Sequence, residues 1–184
     1  MTRYVRALVF ALAVGTTNLT LPRAAIAAAT AGVDEDAAAA LKRLNATEPA
    51  AKLLSQKAKA ILVFPRIVKA GFLVGAHYGE GVLFQNGRPG AHYNTMAGSY
   101  GYQAGLQSYG YVLFLMTDDA LRYLDRSGGW EIGAGPSVVV VNKGKGKSIT
   151  STTLTQDVYA FIFNQKGLMA GAGLQGSKIT KISQ

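Results

Sequence analysis

The stretch AKAILVFPRIVKAGFLVGAHYGEGVLFQNG, residues 58–87, decides how this chain is read. Before it, apolar residues recur every three or four positions: Ala37, Ala40, Leu41 and Leu44. That spacing predicts helix over residues 33–59. Asp34 stands where an N-cap is expected, followed by Glu35 and Asp36 at the positive end of the dipole. Thr47 is the expected cap of a second helix, with Pro49 in its first turn. From Ile61 the period changes. Ile61–Phe64 is a short apolar run that Pro65 is expected to end, and Phe72–Tyr78 follows as a strand with a turn at Gly79. Asn86-Gly87 closes the stretch with a strong hairpin signal.

Downstream, strand-like runs cover residues 93–98, 100–107, 109–116, 130–141, 148–153, 158–163, 168–174 and 178–182. One short helix over Asp118–Arg126, capped by Thr117, interrupts them. Helices followed by many short strands predict an α+β fold with a mainly antiparallel sheet. Of the 22 glycines, 20 lie between Gly71 and Gly176. Pairs such as Gly133 and Gly135, or Gly171 and Gly173, fall on one face of a strand, where missing side chains let a sheet bend or be approached closely. The expected architecture is therefore N-terminal helices packed on a strongly curved sheet or partly closed barrel.

The first residues read as an export signal. Arg3 and Arg6 are the basic region, Ala7–Val14 the apolar run, and Ala25-Ile26-Ala27 the small-x-small cleavage site. The expected organisation is a signal peptide over 1–27 and one domain over 28–184, helical at 33–59 and β-rich at 60–184. The expected location is periplasmic or secreted, with peripheral membrane association. The formal net charge is +9, and without the leader's three arginines 16 basic side chains face 10 acidic ones. That excess favours anionic partners.

Chemistry is offered at several places and withheld at each. Gly171–Gly176 fits G-x-G-x-x-G, but only Ser177–Gln184 follow, too few for the helix a dinucleotide site needs. Gly146-Lys147-Ser148 lacks the upstream glycine of a phosphate loop, since Val141 occupies that place. Ala97 spoils a nucleophile elbow around Ser99. The two histidines, His77 and His92, have no metal-ligand spacing, and there is no cysteine. No enzyme, metal or cofactor is expected. What stands out is Lys143-Gly144-Lys145-Gly146-Lys147, three cations at a loop tip, with Lys166, Lys178 and Lys181 beyond it. Arg66 adds a further cation beside Pro65.

Several motifs, taken in order, resemble the SYLF domain, also called the yeast-84-type domain. They are Ala58–Pro65, Val68-Lys69-Ala70-Gly71-Phe72, Gly79–Leu83, Gly105–Ser108, Leu113–Thr117, Lys166–Gly171 and Leu174-Gln175-Gly176. Ala60 and Gln175 depart from the usual glycine and glutamate. The resemblance spans about residues 36–182. It implies a non-enzymatic phospholipid-binding domain, with Lys69 in a binding motif and an N-terminal amphipathic helix at the membrane, here through Leu41, Lys42 and Leu44. The expected headgroup contacts are Arg66, Lys69, Lys143, Lys145 and Lys147. For an exported bacterial member the expected partners are anionic phospholipids, not actin or nucleic acid. The alternative is an envelope protein–protein interaction module without lipid affinity.

Overall fold

The computed structural model describes residues 23–72, 74–100, 105–126, 128–141, 150, 154–166, 174 and 176–182. The leader through residue 22, the lysine-rich loop at 143–147 and most of the strands expected at 148–153 and 168–174 lie outside the described residues.

Two helices lead, α1 (Arg23–Thr47) and α2 (Pro49–Lys57). Asp34 is not a cap, because α1 begins earlier. Its carboxylate instead meets His92 Nε2 at 2.9 Å and ties the helix to the sheet. Nor does Thr47 cap α2; its hydroxyl donates backwards to the carbonyls of Arg43 (3.1 Å) and Leu44 (3.3 Å). The break falls at Glu48, whose extended backbone (φ −122°, ψ 101°) is what a following proline demands. Pro49 then costs α2 nothing, since the first helical N–H has no partner to lose.

The strands follow as β1 (Ala60–Phe72), β2 (Val74–Gln85), β3 (Arg88–Tyr100) and β4 (Gly105–Leu115). Helix α3 (Asp118–Leu124) comes next, then β5 (Trp130–Glu131), β6 (Val138–Val141), β7 (Val158–Lys166) and β8 (Lys178–Lys181). They form one eight-stranded sheet in the order β5-β8-β3-β2-β1-β4-β7-β6, curled into a half-barrel. Every pairing is antiparallel except β6 with β7. The α+β expectation with a curved, mainly antiparallel sheet holds.

Three local readings change. Pro65 does not end β1; it sits where the register slips against both neighbours, between Val63 and Arg66 on one side and Phe64 and Ile67 on the other. A bulge is where a strand tolerates the missing N–H. Gly79 is likewise no turn but mid-strand. A Cβ there would lie 2.6 Å from the Ile67 side chain and 2.8 Å from the Arg66 carbonyl. On the other side, a Cβ added at Gly110 of β4 would lie 2.7 Å from the Pro65 carbonyl. Bare backbone on both flanks lets β1 bulge and the sheet curl. The tip at Asn86-Gly87 is a hairpin as expected, with φ of 52° and 75° suited to a type I′ turn. Residues 130–141 are not one strand: Gly133 and Gly135 take φ of 111° and 86° in a turn, and Gly135 lies against the Tyr123 ring.

Alternation along the strands divides the core in two. Leu62, Phe64, Tyr111, Leu113 and Leu115 face one side, closed by Ala120 and Leu124 of α3 and by Trp130 and Ile132. Val63, Val82, Phe84, Val112, Phe114 and Phe161 face the other, under Ala37, Ala40 and Leu44 of α1 and Ala51 and Leu54 of α2. At α3 the expected cap is present: the Ala120 N–H donates to Thr117 Oγ1 at 3.3 Å.

Candidate anion-binding cleft

The bulge at Pro65 turns Arg66 onto the helix-bearing side of β1, since the next residue, Ile67, is fully buried on the other. Above it passes α1. Asp36, Ala40 and Arg43 follow one another at three- and four-residue steps beside the buried stripe of Ala37, Ala40 and Leu44. Ser108 of β4 and Asn164 and Lys166 of β7 close the far side. Asn164 adopts a left-handed conformation (φ 53°), beside the register slip between β4 and β7. The result is an open cleft of about 500 Å³.

Arg43, Arg66 and Lys166 contribute three positive charges to this cleft against one carboxylate, Asp36. All four side chains are exposed. Guanidinium forks match phosphate and carboxylate oxygens two at a time, while lysine adds an adaptable point charge. Such an arrangement suits an anion in water-accessible contact.

The expected binding residues are not brought together. Arg66 lines the cleft, but Lys69 lies on the opposite face of β1, half-buried, across from His77 and Gln107. Three residues apart on a strand means opposite faces. Lys143, Lys145 and Lys147 lie outside the described residues. On α1, Lys42 is exposed and Leu41 half-buried, but Leu44 is 7 % exposed within the helix–sheet core. With the helix docked, Leu44 faces the sheet and cannot face a membrane. Lys181 and Lys59 are engaged with Asp125 (2.9 Å) and Asp118 (2.7 Å). Arg43 was missed because Lys42-Arg43 reads as ordinary helix surface. Its signal was its place one step from the buried stripe.

A second polar group lies inside the sheet. His77 Nδ1 is 3.4 Å from the Tyr109 hydroxyl, and His77 Nε2 is 3.4 Å from Ser177 Oγ. Nearby, the Tyr111 hydroxyl donates to Thr95 Oγ1 at 2.8 Å. Burial, then the neighbouring Lys69 charge, holds the His77 pKa below its usual value, so the ring is neutral at physiological pH. Burial likewise pushes the Tyr109 phenol up to about 12. A serine beside a neutral histidine invites a hydrolytic reading. Ser177 is wholly inaccessible, however, and the ring's other nitrogen meets a phenol, not a carboxylate. The group satisfies buried polar atoms in the core. Among the described residues no cluster of histidine and carboxylate side chains could hold a metal ion, and no helix is long and apolar enough to cross a membrane.

Compared with known proteins, residues 96–184 match the family model described as Ysc84: Las17-binding protein actin regulator. The matched span runs from the middle of β3 through β4, α3 and β7 to β8, and includes Ser108, Asn164 and Lys166 of the cleft. No curated protein matches the chain significantly.

Proposed function

We propose that this chain is an exported, non-enzymatic protein that binds anionic phospholipid headgroups at the cell envelope, a reading supported by the match of residues 96–184 to the Ysc84 (SYLF) family, whose eukaryotic domains bind lipids and actin. The observation that carries the reading is the open cleft between α1 and the sheet, which Arg43, Arg66 and Lys166 line with positive charge. The export pattern of the first 27 residues supports placing the protein against a periplasmic or outer surface, where phosphatidylglycerol or cardiolipin supplies the charge. Lys143, Lys145 and Lys147 add cations that reach phosphates without a shaped pocket.

Each such charge is worth on the order of 1 kcal/mol near an anionic surface, less with salt. Three together give reversible association. Co-sedimentation with vesicles of rising phosphatidylglycerol content tests this. Bound protein rises with anionic lipid, and Arg43→Ala/Arg66→Ala/Lys166→Ala lowers affinity by roughly 100-fold at low salt. A Lys143→Ala/Lys145→Ala/Lys147→Ala variant measures the loop's separate share. Equal binding to neutral and anionic vesicles would overturn the electrostatic reading. Capture of a stoichiometric protein partner with no vesicle affinity would replace it.

A further inference from the structure

Beyond the cleft, β1–β4 continue with no helix over them among the described residues. The strand register there sets one row of side chains across six strands: Lys178, Met96, Tyr78, Val68, Ser108 and Lys166. At about 4.8 Å between strands the row is roughly 24 Å long. Its interior is apolar and open, with Met96 49 %, Tyr78 47 % and Val68 37 % exposed. A lysine stands at each end. The next row outward, Leu106, Ala70, Ala76 and Gly98, continues the apolar surface, and Leu106 is 67 % exposed. Small residues under Tyr78 and Met96 leave a groove of about 740 Å³.

We propose that this uncovered sheet face is the surface the protein lays against the bilayer, with the apolar row at the level of the upper acyl chains and the flanking cations among the phosphates. The inference rests on the lipid-binding reading and assigns that reading its contact face. Two features favour lipid as the occupant. The row is continuous with the cationic cleft, sharing Ser108 and Lys166 with it, so a headgroup held at Arg66 places its chains toward Val68. The pattern of an apolar centre, one tyrosine and terminal lysines is also that of an interfacial surface, where lysine stems lie along hydrocarbon and their ammonium groups reach water and phosphate. Two carboxylates border the face. Glu80 accepts the Tyr78 hydroxyl at 2.7 Å, and Glu131 lies across from Lys178. Both stand beside cations, Glu80 being paired in register with Arg66.

The chain has no cysteine, so one introduced thiol carries a probe at a unique site. The full chain with Met96→Cys, labelled with an environment-sensitive fluorophore, is mixed with equimolar phosphatidylcholine/phosphatidylglycerol vesicles. Gln85→Cys, at the hairpin end of β2, is the control. The label at position 96 is expected to shift to the blue and be quenched by shallow spin-labelled lipid, and the label at position 85 to do neither. Val68→Glu/Met96→Glu is expected to weaken vesicle binding at least about tenfold while leaving the fold intact by circular dichroism. If the protein sediments with vesicles but the position-96 label is unmoved, this face is wrong and headgroup binding stands. If nothing sediments, both readings fall. A position-96 shift that appears without vesicles and grows with protein concentration identifies the face as a contact between copies, which also overturns the proposal.

Discussion

The same four strands behave differently in their two halves. Toward the Asn86-Gly87 hairpin, β1, β2 and β4 are covered by α1 and α2, and Val63, Val82, Val112 and Phe114 are completely buried. Past the Pro65 bulge, on that same side of the sheet, Val68, Tyr78, Met96 and Leu106 carry no helix among the described residues and are exposed. The covered half is built for stability. The open half retains apolar side chains whose exposure folding does not relieve, and large exposed apolar patches mark interaction surfaces. The cleft of Arg43, Arg66 and Lys166 lies at the seam between the two.

The largest expected contrast is in stability. Phe114→Ala, in the covered half, is expected to cost about 3–5 kcal/mol, through lost burial and the cavity left against Phe161. Leu106→Ala, in the open half, should stay within about 0.5 kcal/mol of wild type. Urea unfolding of both variants checks this, and comparable losses would erase the distinction. The seam itself is next. Gly110→Ala drives a methyl toward the Phe163 ring and the Pro65 carbonyl and should cost about 1–3 kcal/mol by the same measurement.

A smaller effect separates the open half's inner face from its outer one. The His77 pKa is depressed in the folded protein, so the folded state resists a proton that the unfolded chain accepts near 6.5. Its contribution is therefore fully present above pH 6.5 and is lost as pH falls below it toward the depressed folded value. Urea midpoints at neutral pH and pH 5 should show the decline, and His77→Gln should flatten that part of it. An unchanged pH profile in the variant would show that His77 does not carry it.

Local chemistry made much of this legible in the sequence. The change of period at Ile61, the Asn86-Gly87 turn and the Thr117 cap are interactions between near neighbours, and each appears where the residues indicated. Pro65 and Gly79 misled because their meaning is set across strands: a missing N–H suits a bulge, and a missing Cβ suits the backbone opposite. Asp34 and Thr47 had the right chemistry for caps, but α1 began upstream and Pro49 placed the break at Glu48. The site was half visible. Arg66 announced itself by charge, whereas its partners Arg43 and Lys166 come from other elements, and Lys69 was separated from it by strand alternation. The apolar row depends on the register of five strand pairings, which no single stretch of sequence encodes.

Salt dependence tests the central claim most directly. Partition of the wild-type chain onto phosphatidylglycerol-containing vesicles, followed from low to near-physiological ionic strength beside Arg43→Ala/Arg66→Ala/Lys166→Ala, should give a steep fall for the wild type and a shallow one for the variant, because the screened charges are those of the cleft. Parallel curves of equal height would show that these three cations do not hold the membrane, and the functional account would fail.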